Sequence, residues 1–213
     1  SWFGAIFFEG MIFAMCSTLL MVLLYRERDT ARFAHEATSD PLTGIANRRA
    51  FLESAQRLLL RCQKEGAPCS LIMFDLDRFK VINDTQGHPF GDEVLRSFSD
   101  TVRTLIRPND FFGRYGGEEF AVVLPNAAVE TAFVIAERVR HAFAEANRFT
   151  PDGVPLNATV SGGVAEAASE ASIHEVIQAA DRALYRAKDF GRNQIDRGDD
   201  PDDRRRSNVI RVA

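Results

Sequence analysis

The chain has 213 residues, of which 46% are apolar and 26% charged, and its formal net charge is −4. This composition lies near the globular average, which excludes a wholly disordered or fibrous protein, and the lack of net basic charge gives no support for a nucleic-acid polymer as partner. The three cysteines, Cys16, Cys62 and Cys69, have the spacing of neither a disulfide framework nor a zinc site.

The N-terminal segment is almost without charge, since only Glu9 is charged between Trp2 and Tyr25. A helix of this length is about 36 Å long, enough to cross the ~30 Å hydrocarbon core of a bilayer. Trp2 and Tyr25 have the positions of interfacial anchors, and Arg26 begins a basic flank that faces the cytoplasm by the positive-inside rule. Residues 1–25 are therefore predicted to form a transmembrane helix of the cytoplasmic (inner) membrane; a buried core helix is the alternative.

The next segment, residues 26–39, is polar, lacks Gly and Pro, and is predicted to be a helical connector. Phe33 and Ala37 are one helical turn apart and could pair with their twins in a dimer, although a solvated linker helix is an equally open alternative. Asp40-Pro41 then marks a boundary, because proline disfavours helix in the residue before it.

Residues 40–196 have the alternating pattern of a folded domain. In chain order the pattern predicts a helix over 47–64, a strand over 70–74, a helix within 87–107, strands over 110–115 and 120–124 around a Gly116-Gly117 turn, a helix over 129–147, a strand over 156–164, a helix over 173–188 and a short strand over 193–196. This order favours an α+β fold, a ferredoxin-like antiparallel sheet flanked by helices. Residues 197–213 are charged and aperiodic, and are predicted to be a disordered tail.

Three acids stand where strands end: Asp75 after a buried strand, and Glu118 and Glu119 after the glycine turn. Converging buried acids are costly unless a cation neutralises them, and hard oxygen ligands without His or Cys select Mg²⁺ or Mn²⁺. Mg²⁺ sites usually combine one or two carboxylates with substrate phosphates, so these acids suggest a metal–nucleotide site. The alternative is that they are loop acids in solvent.

Four segments of the chain together resemble the GGDEF-domain diguanylate cyclases, over about residues 40–196. They are Asp40–Arg49, Phe74–Asp92, the signature stretch Arg114–Phe120 with Gly-Gly-Glu-Glu-Phe, and Ala183–Asn193. The resemblance implies a nucleotidyl-cyclase-like fold and an enzyme that condenses two GTP into cyclic di-GMP and releases two pyrophosphates. Glu in place of the first signature Asp is an active form in this family.

The same resemblance assigns the metal and phosphate ligands. Asp75 and Glu118, with the backbone carbonyl of Leu76, would hold Mg²⁺ or Mn²⁺. Lys80 would neutralise charge that develops on the phosphates. Lys188 and Arg192 would hold the terminal phosphates, although each alone could be an ordinary cation at a helix end.

The resemblance also assigns guanine recognition and proton transfer. Asn83, His88 and Asp92 would bind the substrate, with Asn83 and Asp92 reading guanine, and Asp92 argues against relaxed purine choice. The alternative for Asn83 and His88 is that they order the loop. Either Glu118 or Glu119 would assist deprotonation of the attacking 3′-hydroxyl, and the sequence leaves the choice open.

Regulation and assembly follow from the family as well. Arg107 and Asp110 match its Arg-x-x-Asp product-inhibition site, with Arg138 as a third candidate residue; a loop ion pair is the alternative. One domain would hold one GTP, so a two-fold homodimer with facing sites is expected. Two rival functions remain: a catalytically silent cyclic di-GMP-binding or dimerisation module, and a cyclase for another nucleotide.

Overall fold

The structure is a computed structural model that describes residues 11, 13–21, 38–147, 153 and 156–198. The chain divides into two units, residues 1–39 and 40–213. In the first unit the described residues 13–21 are helical. No helix in the described part of the chain is long and apolar enough to cross a membrane. Most of the predicted span over 1–25, of the connector over 26–39 and of the tail over 197–213 lies outside the described residues.

The second unit is built on a five-stranded sheet in the order β2-β3-β1-β4-β5. Its strands are β1 (Cys69–Leu76), β2 (Phe111–Arg114), β3 (Glu119–Pro125), β4 (Val160–Glu166) and β5 (Ile195–Arg197). Three pairings are antiparallel, as predicted, but β5 runs parallel to β4, so the sheet is mixed. The α+β class is confirmed and the purely antiparallel sheet is wrong, because α5 connects β4 to β5 as a crossover.

Among the described residues of this unit, five helices cover the sheet: α1 (Arg48–Glu65), α2 (Phe79–Gln86), α3 (His88–Leu105), α4 (Val129–Ala146) and α5 (Ile173–Asp189). Their ends follow local chemistry. The Asn47 side chain accepts a hydrogen bond from the Ala50 amide at the start of α1, and Gly66 ends that helix at φ 64°. Ser172 and Glu175 form a reciprocal capping box at the start of α5.

The central strand β1 is buried on both faces, which is why it lacks the polar alternation of an edge strand. Ile72, Phe74 and Leu76 pack into the core under α3 and α4, together with Phe98. The intervening residues point the other way into the core under α1 and α5, including Met73. The end of β1 is thereby held from both sides, and the side chains that follow it are placed with little freedom.

The helix α2 was not predicted, since no element was assigned between the strand over 70–74 and the helix within 87–107, and a longer turn was expected there. The turn is shorter: Arg78, at φ 54°, is the left-handed residue before the helix begins at Phe79. Phe79 and Ile82 are buried against the α3 side of the sheet. An eight-residue helix is marginal by itself, so α2 depends on this packing rather than on a local pattern.

Candidate active site

The end of β1 places two buried acids side by side on the chain. Asp75 lies opposite Glu119 of β3 on one side and Ser161 of β4 on the other. Asp77 follows one residue beyond the strand, and both carboxyl-bearing residues are only 6% exposed. Such burial is costly for a carboxylate without donors or cations. The partners of these two acids therefore define the site.

The signature turn brings the other two acids to the same edge. The Leu76 amide donates to the Glu118 carbonyl at 3.2 Å, which ties the turn to the end of β1. Within the turn, a Cβ on Gly116 would overlap the Glu119 carboxylate. Glycine at position 116 therefore allows the Glu119 side chain to fold back over the turn. The structure thus brings Asp75, Leu76, Glu118 and Glu119 together at this edge.

The signature turn is also held from outside. The Arg114 guanidinium donates to the Gly117 carbonyl at 2.6 and 3.1 Å, and it donates to both carboxylate oxygens of Asp40 at 3.1 Å. Asp40 also accepts hydrogen bonds from the amide and hydroxyl of Thr43. Burial opposes ionisation of Asp40, but these bonds from Thr43 and the Arg114 charge hold its pKa below the ordinary value.

The acids of the edge repel one another. Burial raises the pKa of Asp75, and the nearby Asp77 adds to the rise, while Lys188 and Arg192 oppose it. Burial, followed by the Asp75 charge, raises the pKa values of both Glu118 and Glu119. The Glu119 charge adds to the rise at Glu118, and the Asp181 charge adds to the rise at Glu119. A cluster of carboxylates with raised pKa values is one that gains from a cation.

Two predicted phosphate ligands come from the end of α5 and the turn after it. The Lys188 Nζ atom is 2.6 Å from Asp75 Oδ2, and the Lys188 side chain is one-third exposed. Arg192 is exposed and lies in the turn that follows α5, at φ 66°. Its charge acts on Asp75 in the same sense as that of Lys188. The sequence could predict both as cations, but not the ion pair with Asp75.

The predicted guanine ligands lie on α2 and α3. Asn83 is half-buried on α2, and Asp92 is half-buried in the first turns of α3. Between them Gly91 is buried, and a Cβ there would overlap Asn83 Oδ1. Lys80 in the first turn of α2 and His88 at the start of α3 are both exposed.

The predicted inhibitory residues lie apart from the acids, at the opposite end of β2 from the signature turn. Asp110 Oδ2 accepts from the Arg107 amide at 2.8 Å, and the Asp110 amide donates to the Arg107 carbonyl, so Arg-x-x-Asp is a tight turn after α3. Burial raises the pKa of Asp110, while the Arg107 hydrogen bond and charge oppose that rise. Arg138 is exposed on α4 and lines a groove of about 580 Å³ with Leu105, near the end of α3.

Three residues that sequence reasoning gave no role contribute to the site. Asp77 and Arg114 lay inside motifs, but their partners are distant in sequence and no local signal marks them. The third is Arg48, whose guanidinium lies 4.6 Å from the ring centre of Tyr115, beside the signature turn. Its charge lowers the pKa of Glu119 and so opposes the effects of burial.

The donors at this edge fit a hard divalent cation shared with a nucleotide. Within the described residues no group of three or more His, Cys, Asp or Glu side chains is arranged to hold a metal ion by itself. Asp75 and Glu118 supply carboxylate oxygens, and burial together with the charge of neighbouring acids raises the pKa of each. Mg²⁺ commonly takes one or two such carboxylates and completes its shell with water and substrate phosphates.

Proteins of known families are similar to this chain in sequence. The family model described as "Diguanylate cyclase, GGDEF domain" matches residues 37–194. Diguanylate cyclase DgcP of Pseudomonas aeruginosa is 40% identical over 161 residues, 76% of this chain and 24% of that protein. Response regulator PleD of Caulobacter vibrioides is 41% identical, over 75% of this chain and 36% of that protein. The chain therefore spans well under half the length of these curated relatives.

Solved structures give the same family. The coiled coil and GGDEF domain of DgcB from Caulobacter crescentus in complex with c-di-GMP matches with a TM-score of 0.79 at 32% identity, over 86% of this chain and 96% of that chain. The active GGEEF domain of a diguanylate cyclase from Vibrio cholerae matches with a TM-score of 0.68 at 37% identity, over 72% of this chain and 97% of that chain. The predicted family is confirmed, and the chain belongs to the diguanylate cyclases with a GGDEF domain.

Proposed function

We propose that this chain is a diguanylate cyclase that condenses two GTP into cyclic di-GMP and releases two pyrophosphates. The observation that carries the proposal is the meeting of Asp75, Glu118 and Glu119 with Lys188 at one sheet edge, in the order of the family's motifs. Carboxylates that can bind a metal cation and a lysine that can bind a phosphate occur there together. This is the pair of charges that a metal–nucleotide substrate requires.

In this proposal Asp75, Glu118 and the Leu76 carbonyl would hold Mg²⁺ or Mn²⁺, which when bound supplies Lewis-acid stabilisation of phosphate charge and a lower pKa for the attacking hydroxyl. Glu118 or Glu119 accepts the proton of the 3′-hydroxyl. Both carboxyls lie at the edge where a nucleophile would approach, and both stand in the family signature, so the base is one of these two.

The remaining ligands bind the two ends of GTP. Lys188 and Arg192 hold the terminal phosphates, and Lys80 stabilises charge on them as the bond to pyrophosphate breaks. Asp92 accepts hydrogen bonds from the N1–H and amino group of guanine, and Asn83 contacts the same base. Adenine offers no such pair of donors on that edge, so GTP is preferred to ATP.

One domain binds one GTP, so the active form is a homodimer that brings two sites face to face. The product inhibits through Arg107, Asp110 and Arg138, where a guanidinium and a carboxylate can bind guanine and phosphate together.

Residues 1–25 anchor the chain in the cytoplasmic membrane with the domain in the cytoplasm. Retention of the chain in the membrane after a carbonate wash tests the anchor, and release would contradict it.

The activity is tested with the purified full chain, Mg²⁺ and either GTP or ATP, with products identified by mass spectrometry. We expect cyclic di-GMP from GTP, and Glu118→Gln is expected to reduce the rate at least about 100-fold, as loss of a group that stabilises the transition state does. Glu53→Gln is the matched control, because Glu53 is an exposed acid of α1 paired with Arg49. Binding of cyclic di-GMP by a dimer that makes none would favour the silent module, and a cyclic adenine product would favour the other cyclase.

A further inference from the structure

The turn after α5, residues 190–194, has an unusual backbone. Gly191, Arg192 and Asn193 follow one another with φ values of 116°, 66° and 47°. Two of the three are not glycine, and side chains disfavour the left-handed region. Such residues persist only where the surroundings hold them, and strained positions of this kind cluster at functional sites. The question is what holds the 190–194 turn.

Two residues of the turn, Arg192 and Gln194, form hydrogen bonds with neighbouring elements. The Arg192 amide and the Gln194 side-chain amide both donate to the Ala187 carbonyl, at 3.0 and 2.7 Å. The Gly162 amide of β4 donates to the Gln194 carbonyl at 3.0 Å. These bonds close the turn against α5 and the sheet through Arg192 and Gln194, but none of them involves Asn193, which lies between those two residues.

Asn193 is held by Asp77. Its Oδ2 atom accepts from the Asn193 amide at 3.0 Å and from the Thr159 hydroxyl at 2.8 Å, and its Oδ1 atom accepts from the Ser161 hydroxyl at 2.7 Å. The Asp77 amide donates to the Thr159 carbonyl. One buried carboxylate thus joins β1, β4 and the 190–194 turn.

A second tie acts on the same residue from the other side. Arg140 of α4 donates to Asn193 Oδ1 at 2.9 Å. The Arg140 guanidinium is itself held by Glu137, with contacts of 2.8 to 3.2 Å, and its side chain is 13% exposed. Asn193 is therefore fixed through its backbone by Asp77 and through its side chain by Arg140. With the bond from the Arg192 amide to the Ala187 carbonyl, the backbone is held on both sides of the exposed Arg192 side chain.

We propose that Asp77 is a positioning residue that sets the Arg192 guanidinium for binding the terminal phosphates, an inference that rests on the proposed function. Lys188 forms an ion pair with Asp75, and the Asn193 amide donates a hydrogen bond to Asp77. Two acids two positions apart on the chain therefore hold both the end of α5 and the 190–194 turn. The acids that would hold the cation and the cations that would hold the phosphates are thereby kept at a fixed spacing. Asp77 acts through its hydrogen bond to the Asn193 amide and touches no substrate.

The test compares Asp77→Ala and Asp77→Asn in the full chain. Asp77→Ala removes the acceptor and is expected to raise the KM for GTP about tenfold with a smaller change in kcat, as loss of ground-state phosphate binding does. Asp77→Asn keeps an oxygen that can accept from the Asn193 amide, so it is expected to stay within about threefold of the native KM. Ser161→Ala is the control, because it removes a bond to the same carboxylate that does not reach the turn.

A double-mutant cycle separates positioning from general stability. If Asp77 acts through Arg192, Asp77→Ala should change the KM less than about twofold in an Arg192→Ala background. An equal increase in both backgrounds would overturn the inference, as would a native KM in folded Asp77→Ala. Should Asp77→Ala not fold, Asp77→Ser replaces it, since its hydroxyl is too short to reach the Asn193 amide.

Two measurements without turnover keep this inference distinct from the activity. Hydrogen exchange of the Asn193 amide should quicken in Asp77→Ala and stay native in Asp77→Asn. Binding of inorganic tripolyphosphate, followed by calorimetry, should weaken about tenfold in Asp77→Ala but not further in the Arg192→Ala background. Equal tripolyphosphate binding by native protein and Asp77→Ala overturns the inference whatever the GTP assay gives. A chain that passes both tests but makes no cyclic di-GMP contradicts the proposed function alone.

Discussion

Gly91 shows how an absent side chain can shape a binding site. A Cβ at this position would overlap Asn83 Oδ1 and approach Phe79 Cζ to 3.2 Å. Gly91 lies inside α3, where alanine would favour the helix by about 1 kcal/mol, so the helix gives no reason for glycine. The reason is the close approach of Asn83, a proposed guanine ligand, to the backbone of α3.

We therefore expect Gly91→Ala to raise the KM for GTP about tenfold, because displacement of Asn83 removes a positioned hydrogen-bonding group. The measurement is steady-state kinetics of the full chain, with folding checked by circular dichroism. Asn83→Ala and the double variant complete a cycle. The double variant should be no worse than Asn83→Ala, and a native KM in folded Gly91→Ala would contradict this role.

Other single residues show the limit of reading a sequence. Asp75 and Lys188 could each be proposed from motifs, because both types of charge stand at ends of predicted elements. The role of Asp77 could not be seen, since its partners Ser161 and Asn193 are 84 and 116 positions away. An Asp-Leu-Asp stretch does not tell whether its second acid is buried. That depends on the pairing of β1 with β4, which no local pattern specifies.

At the scale of elements, the long helices and all five strands were predicted, whereas the short helix α2 and the parallel direction of β5 were not. α1, α4 and α5 lie within one or two residues of their predicted bounds because their apolar periodicity extends over 17 or 18 residues. α2 has only two buried residues, too few for a helical period to show. β5 has three residues, and its parallel pairing is set by the crossover through α5.

The ion pair of Asp40 with Arg114 joins the entry of the domain to the signature turn, and it carries a stability prediction. Both side chains are 15% exposed, so removal of one charge leaves the other largely desolvated. Asp40→Ala should lower the free energy of unfolding by about 2–4 kcal/mol at pH 7. Glu53→Gln, which breaks an exposed pair at the same kind of distance, should change it by less than about 0.5 kcal/mol.

The pH dependence of this pair follows from the lowered pKa of Asp40. A carboxyl whose pKa is lower in the folded state stabilises the fold above its unfolded value of 3.8, and that contribution is lost as the pH falls through the folded value. Urea unfolding of native protein and Asp40→Asn should therefore differ at pH 7, and the difference should shrink below about pH 4. A difference independent of pH would show that packing, not ionisation, is responsible.

At the scale of the whole molecule, the α+β class was predictable from the order of helices and strands along the chain. The family was predictable because its four motifs occur in the expected order along the chain. The edge of β1, β3 and β4 then brings Asp75, Glu118 and Lys188 together. What motifs could not predict is how the surroundings hold that edge. Arg114 and Asp77 do so through bonds that cross the sheet, from the domain entry in one case and the 190–194 turn in the other.

The proposed product inhibition can be tested separately from catalysis, because its residues lie apart from the acids. Arg107 is exposed, and the Asp110 carboxylate already accepts from the Arg107 amide, so the turn forms without the guanidinium. Arg107→Ala should therefore leave the initial rate within about twofold while removing the proposed inhibition by cyclic di-GMP. Progress curves at rising cyclic di-GMP measure both.

Controls for this prediction come from the same helix and the same turn. Arg96→Ala removes an exposed arginine of α3 and should keep native inhibition. Asp110→Asn retains an oxygen for the Arg107 amide and so preserves the turn, but it loses the charge that would pair with guanine donors. It should weaken inhibition without loss of stability. Native inhibition in Arg107→Ala would contradict the site, because Arg107 supplies the only guanidinium of the Arg-x-x-Asp turn.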